Sequence, residues 1–265
     1  MKCDLCPRKC LVDRKKGEKG ICGQTENLKV ARAALHFWEE PCISGDAGSG
    51  AVFFSGCPLH CVFCQNENIA NGTVGKEISL ERLVDIFLEL QEKRANNINL
   101  VTPGHFVPQI VKALDQARKE GLTLPVVYNT SSYETVDTIK MLEGYVDIYL
   151  PDFKYMSPVL SKKYSHAPDY AEVAKAAIAE MVRQTGKAVF VNGDEDNLIL
   201  SGTIVRHLTL PGCMADSMQI LKYLHDTYGD MIYISIMNQF TPLSNLEKYP
   251  ELNRRITDEE YETLV

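Results

Sequence analysis

The stretch Ala51-Val52-Phe53-Phe54-Ser55-Gly56-Cys57-Pro58-Leu59-His60-Cys61-Val62-Phe63-Cys64-Gln65-Asn66 sets an apolar, β-rich run directly before three closely spaced cysteines. Ala51–Ser55 reads as a strand, and Cys57, Cys61 and Cys64 follow it in a loop with C-x3-C-x2-C spacing. Three thiolates this close can hold three irons of a [4Fe–4S] cluster and leave the fourth iron open to a small molecule. The same residues could instead form a structural zinc site, a disulfide pair or small buried hydrophobes. Structural zinc normally takes four protein ligands.

Downstream of this stretch, strand and helix patterns alternate. Apolar β-rich runs recur at Ile98–Val101, Pro125–Asn129, Val146–Leu150, Ile204–Leu210 and Met231–Ile236. Between them, Leu80, Leu83, Val84, Phe87 and Leu90 share one helical face, and Ile110, Leu114 and Ala117 another. Ala171, Ala174, Ile178 and Met181 form a third face, and Met218, Leu221 and Leu224 a fourth. Ser79 and Asp169 stand where N-caps are expected. Six such units imply a parallel sheet with right-handed crossovers. A closed eight-unit barrel takes roughly 250 residues, so an α/β fold with a partial (β/α)6 TIM-type barrel is expected. Ala188–Val191 and Leu198–Ser201, around Asn192-Gly193-Asp194-Glu195-Asp196, predict a hairpin or lid-like insertion before the fifth strand. Thr257-Asp258-Glu259-Glu260 reads as a cap followed by a few helical residues, as though the chain stopped inside a helix.

Composition fits a globular enzyme: 45% hydrophobic and 24% charged residues. A formal charge of −7 argues against broad phosphate binding, so nucleic acid is not an expected partner. Met1-Lys2-Cys3 opens no apolar targeting stretch, and no apolar run reaches the roughly 18 residues of a membrane span. Nine cysteines, mostly clustered, read as metal ligands in a reducing, cytoplasmic setting.

The cysteine spacing and its setting resemble the signature of the radical S-adenosylmethionine (radical SAM) enzymes, and the local run resembles the pyruvate formate-lyase activating enzymes in particular. The resemblance covers residues 50 to about 245. It implies a [4Fe–4S] cluster on Cys57, Cys61 and Cys64, with S-adenosylmethionine bound at the open iron. An external low-potential electron donor would drive reductive cleavage to a 5′-deoxyadenosyl radical that abstracts hydrogen. The substrate would be a glycine in a partner enzyme, a small molecule or another macromolecule. Phe63 fills the aromatic position near the adenine. Asp152-Phe153-Lys154 matches the family's Asp-x-Lys step, with Lys154 facing the cofactor carboxylate. Asn129 and Thr130 fall where polar groups face the methionine and ribose, and Arg206 with Pro211-Gly212 matches the fifth-strand arginine and its turn. Where the family has Gly-Gly-Glu, this chain has Pro103-Gly104-His105, which leaves a neutral His105 nitrogen as the candidate acceptor. The reading from a different class is a non-catalytic iron–sulfur or zinc-binding, or electron-transfer, module.

Residues 1–45 are expected to form a cysteine-rich metal-binding module and residues 46–265 the barrel. Cys3, Cys6, Cys10 and Cys22 have C-x2-C-x3-C-x11-C spacing, which suits a second metal, either zinc or a closed iron–sulfur cluster. A segment this short needs such a staple to fold. Cys42 and Cys213 read as packing residues, with Cys213 close enough to the fifth strand to reach the mouth. His36, Phe37 and Trp38 are expected to pack the module onto the barrel. Gly45–Gly50 lacks the Gly-Lys-Ser/Thr ending of a phosphate loop and reads as a flexible lead-in to the first strand.

Overall fold

The alternating runs become a single mixed sheet. The computed structural model describes residues 2–194, 197–244 and 246–265. Its strands are β1 (Lys29–His36), β2 (Ser49–Phe54), β3 (Lys76–Glu77), β4 (Ile98–Val101), β5 (Val126–Thr130), β6 (Ile148–Pro151), β7 (Val189–Phe190), β8 (Ile199–Leu208) and β9 (Tyr233–Met237). Its helices are α1 (Pro41–Ser44), α2 (Glu67–Ala70), α3 (Leu80–Glu92), α4 (Val107–Lys119), α5 (Val136–Lys140), α6 (Pro158–Ser165), α7 (Tyr170–Thr185), α8 (Met214–Tyr228) and α9 (Asp258–Glu262). Strands β2, β4, β5, β6, β8 and β9 pair in parallel in that order, each matching one expected run. This is the expected α/β partial barrel, open between its first and last strands. No helix among the described residues is long and apolar enough to cross a membrane.

Helix faces follow the spacing on three of four helices. α3 buries Leu83, Val84, Phe87 and Leu90, α4 buries Ile110, Leu114 and Ala117, and α7 buries Ala171, Ala174, Ile178 and Met181. Ser79 caps α3 by accepting the Arg82 N–H. Asp169 does not cap α7, because its carboxylate accepts the Tyr133 hydroxyl instead, at 2.8 Å. α8 is rotated from expectation: Ile220 and Leu224 are buried, and Met218 lies exposed. Polar contacts set that rotation. Ser217 meets His207 Nε2 at 2.8 Å, and Asp216 accepts the backbone N–H groups of Met156 and Ser157.

The expected hairpin forms between β7 and the start of β8, with Glu195 and Asp196 outside the described residues. α9 carries the Thr257–Glu260 capping box.

Residues 29–48 depart most from the sequence reading. β1 joins the sheet antiparallel to β2, so this part of the N-terminal segment continues the barrel wall. The chain then crosses the N-terminal end of the barrel, where Ile43 is buried against Val127, Ile148, Leu150 and Ile204. The loop after it is tied down, since Asn96 and Asn97 donate to the Ser44 and Ile43 carbonyls at 2.6 and 2.8 Å. His36 stacks edge-on to Phe53, but Phe37 and Trp38 point outward, 53% and 89% exposed, and pack no module onto the barrel.

Residues 2–28 dock on the opposite end, around the strand ends. Arg8 donates to the Pro58 and Ser165 carbonyls and lies over the Tyr133 ring. Leu5 O accepts from Thr138 at 2.6 Å. Gly56 has φ +92 and lies so close to Cys22 that a Cβ there would stand 2.4 Å from the Cys22 carbonyl. Buried Arg14 donates to the His105 carbonyl and covers Phe106.

His105 belongs to this core contact. The 3-10 turn Gly104–Phe106 carries its ring inward, with Nε2 2.7 Å from the Ser55 carbonyl and Nδ1 without a partner among the described residues. Burial pulls its pKa down to about 4.

Two outcomes follow from the packing. Ile43→Ala should lose about 2–5 kcal/mol, read as a lower urea midpoint at unchanged slope. His105 stays neutral when folded but takes a proton near pH 6.5 when unfolded. Its contribution is therefore complete above about pH 6.5 and disappears as pH falls toward 4. The stability difference between wild type and His105→Gln should shrink across that window. A difference constant with pH would contradict the burial of a neutral ring.

Candidate active site

Parallel β/α proteins gather chemistry at the C-terminal strand ends. Here a cavity of about 420 Å³ opens among those ends, within the size range of small-molecule sites. Cys57, Cys61 and Cys64 line one wall, on the loop that leaves β2. Phe63 joins them, buried and edge-on to Phe240 with ring centroids 6.1 Å apart. Asn129 and Thr130 reach the cavity from β5, Asp152 and Lys154 from beyond β6, and Arg206 from β8. The structure thus brings together every expected site residue of the barrel except His105, which is not among the lining residues. The turn after β4 sends that ring into the core, and the cavity receives Thr102 instead, at φ 55. A β-branched residue at positive φ is a strained position of the kind that clusters at functional sites.

A buried ion network forms one side of the cavity. Lys154 Nζ donates to Asp152 Oδ2 at 2.7 Å, and Arg206 Nε donates to Asp152 Oδ1 at 2.9 Å. Arg206 Nη1 reaches Glu39 Oε1 at 2.7 Å, and Nη2 reaches Asn129 Oδ1 at 2.8 Å. Glu39 Oε2 also accepts from Asn129 and Asn99, at 2.9 and 3.0 Å. Glu39 is the site residue that sequence reading missed; it rises from the segment crossing the barrel's closed end. Burial alone would push the Asp152 pKa up, but Arg206 and Lys154 together hold it below the ordinary carboxylate range. Burial likewise opposes charge on Lys154, and the Asp152 carboxylate outweighs it and raises the pKa. Arg206 is likewise buried, and the neighbouring Asp152 and Glu39 carboxylates outweigh that burial and raise its pKa.

Burial acts on two of the three thiols as well. Burial, reinforced by neighbouring Cys61, pushes Cys57 up to about 12, and burial also raises Cys64. Lys154 works against the rise at Cys64, so its ammonium stands near the triad. Cys61 Sγ accepts from Ser165 Oγ at 3.0 Å. Such thiols become thiolates when a metal displaces their protons. Three sulfurs on one wall, a ring beside them and a lysine across from them fit a cluster with a small zwitterionic ligand.

The N-terminal cysteines lie near one another. Cys10 and Cys22 each raise the pKa of Cys6, and Cys3 and Cys10 raise that of Cys22, although burial is the largest cause at both. No three His, Cys, Asp or Glu side chains among the described residues close on one ion-sized point. Cys213 is buried near Tyr164 and does not line the cavity. Glu134, a second carboxylate that sequence reading passed over, lies beneath Gly104, where a Cβ would stand 2.4 Å from its oxygens. It accepts from Thr130 at 2.8 Å, and burial raises its pKa to about 7.

The Radical SAM superfamily model matches residues 51–197, more than half of the chain. A relative, the uncharacterized protein MJ0674 of Methanocaldococcus jannaschii, is 28% identical over 269 residues, covering 98% of this chain and 72% of that protein. Among solved structures, HydG, a maturase of the [FeFe]-hydrogenase, superposes with a TM-score of 0.51 at 14% identity over 79% of this chain. Methylornithine synthase (PylB) gives the same TM-score and identity over 77%. The chain spans 46% and 57% of those two proteins, and at 14% identity the likeness is one of fold alone. The family match, with the cysteine loop at the first parallel strand of a partial barrel, identifies the chain as a member of the radical SAM superfamily, whose enzymes work with a [4Fe–4S] cluster and S-adenosylmethionine.

Proposed function

We propose that this radical SAM enzyme is an oxidoreductase of the activating-enzyme type, which abstracts hydrogen from a glycine-containing protein partner. The observation that carries the site assignment is the single cavity shared by Cys57, Cys61, Cys64, Phe63, Asn129, Thr130, Asp152, Lys154 and Arg206. The activating-type substrate rests on the sequence around the triad and on the Asp152-Phe153-Lys154 step. A cytoplasmic setting belongs to the same reading, with all nine cysteines free of disulfides.

In this reading Cys57, Cys61 and Cys64 hold the cluster. Once bound, the cluster and S-adenosylmethionine would supply radical hydrogen-abstraction chemistry, driven by an external low-potential donor. The chain's own part is binding and orientation. Asp152 fixes the Lys154 ammonium at 2.7 Å, where it would hold the cofactor carboxylate through a charge-assisted hydrogen bond. Arg206 and Asn129, locked to each other and to Glu39, present a fixed polar wall to the ribose and methionine. Phe63, which lines the cavity beside the triad, would pack against the adenine. Asp152, Lys154 and Arg206 are largely withdrawn from bulk solvent, which strengthens their hold on a bound ligand.

Anaerobic wild-type protein, given reductant and S-adenosylmethionine, should form 5′-deoxyadenosine and methionine. Any of Cys57→Ala, Cys61→Ala or Cys64→Ala should abolish this. Lys154→Ala should keep the cluster and lose about 1.5–3 kcal/mol of cofactor binding, roughly tenfold to a hundredfold in affinity by calorimetry. Cleavage surviving in the triple cysteine variant would refute the assignment.

The quartet Cys3, Cys6, Cys10 and Cys22 holds a second metal, zinc or iron–sulfur, that staples the N-terminal segment onto the strand ends. Cys3→Ala/Cys6→Ala should lower both metal content and thermal midpoint. Unchanged metal and unchanged melting would dispose of the staple.

A further inference from the structure

The barrel is open between β1 and β9, and β1 offers that opening an unpaired strand edge. β3 covers only Lys29 and Val30. On β2, the Ser55 N–H donates to the Lys29 carbonyl and the Gly50 N–H to the Asn97 carbonyl, so alternate residues serve β1 and β4. Val52 and Gly50, which serve β4, stand opposite Ala33 and Leu35. The backbone groups of Ala33 and Leu35 therefore point away from β2, toward the opening. Open edges are normally blunted by proline, by lysine or by a covering loop. Arg32–His36 has no proline or lysine, and Arg32 and His36 both line the cavity.

We propose that this edge receives an extended, acidic polypeptide segment that pairs with β1 and lays alternate side chains into the cavity. The proposal rests on the activating-type reading and names how its partner docks. Strand addition uses main-chain hydrogen bonds for affinity and alternate side-chain pockets for specificity. Charge selects the occupant. Arg206 and Lys154 are neutralised by Glu39 and Asp152, whereas Arg32 lines the same cavity with no ion-pair or hydrogen-bond partner among the described residues. An aspartate or glutamate on the incoming strand meets it. Phe37 and Trp38, exposed at the end of β1, give the segment an apolar anchor.

Trp38 is the only tryptophan and reports occupancy directly. Two pools of short glycine-containing, β-forming peptides, one bearing Asp and the other Lys at the same positions, are offered to the full-length holoenzyme, with oligodeoxythymidylate as a non-peptide polyanion. The Asp pool should shift Trp38 emission and slow amide exchange at Ala33 and Leu35 about tenfold when peptide exceeds its Kd tenfold. Arg32→Glu should transfer the preference to the Lys pool. Ala33→Pro, which removes an outward N–H that β2 does not use, should abolish protection at Leu35 and leave S-adenosylmethionine cleavage intact. Unslowed exchange with both pools, or slowing by the oligonucleotide alone, would overturn the docking edge while cofactor cleavage still stands. Protection without any cofactor cleavage would instead overturn the reading of the site.

Discussion

The Arg206 guanidinium holds the centre of this molecule together. Its three nitrogens bond Asp152 of the β6 end, Asn129 of β5 and Glu39 of the crossing segment, at 2.7–2.9 Å. Four elements distant in sequence are thus fixed to one planar fork. The network is neutral, and that is why it persists: each charge would be costly to bury alone. Removing any member leaves an unpaired charge in the barrel, so Glu39 matters to Lys154 although the two do not touch. Fixing Asp152 from one side lets its other oxygen aim Lys154 into the cavity.

Order then propagates to both ends. At the closed end, Ile43 seals the barrel and supports the segment that carries Glu39. At the open end, the N-terminal residues lie over the triad loop, where Cys22 packs on Gly56 and Arg8 takes the Pro58 carbonyl. His60 sits at φ 51 within that loop, held by the Ile21 carbonyl and Asn71. The two cysteine groups are therefore one construction. Burial pushes both Cys6 and Cys57 up to about 12, so any metal these thiols took up would have to displace their protons, and alkaline pH would favour it.

Much of this was legible from residue patterns, and the failures share a cause. Continuous apolar β-rich runs reported the six parallel strands, of which β2, β5 and β6 are buried on both faces, and helical-period patterns reported three helix faces that bury one stripe. Lys154 two residues after Asp152 pointed correctly to a shared orientation. β1 was missed because Ala31, Ala33 and Ala34 give it little β-forming character, and only its pairing with β2 makes it a strand. Glu39 was missed because a carboxylate in His36-Phe37-Trp38-Glu39-Glu40 looks like a solvated linker until the chain turns into the barrel. His105 was expected at the cavity from its place after β4. A 3-10 turn, set by the close approach of Gly104 to Glu134, turned it into the core. Local patterns report which face is apolar, and they do not report which loop closes over it.

The central claim is that three thiolates of this chain leave one iron open to a ligand held by Lys154 and its network. Mössbauer spectroscopy of anaerobically reconstituted, iron-57-labelled protein tests it most directly. On addition of S-adenosylmethionine, one iron of the triad's cluster should change its signal while its companions keep theirs, and the change should weaken in Lys154→Ala. An unchanged spectrum in cofactor-saturated wild type would contradict the account.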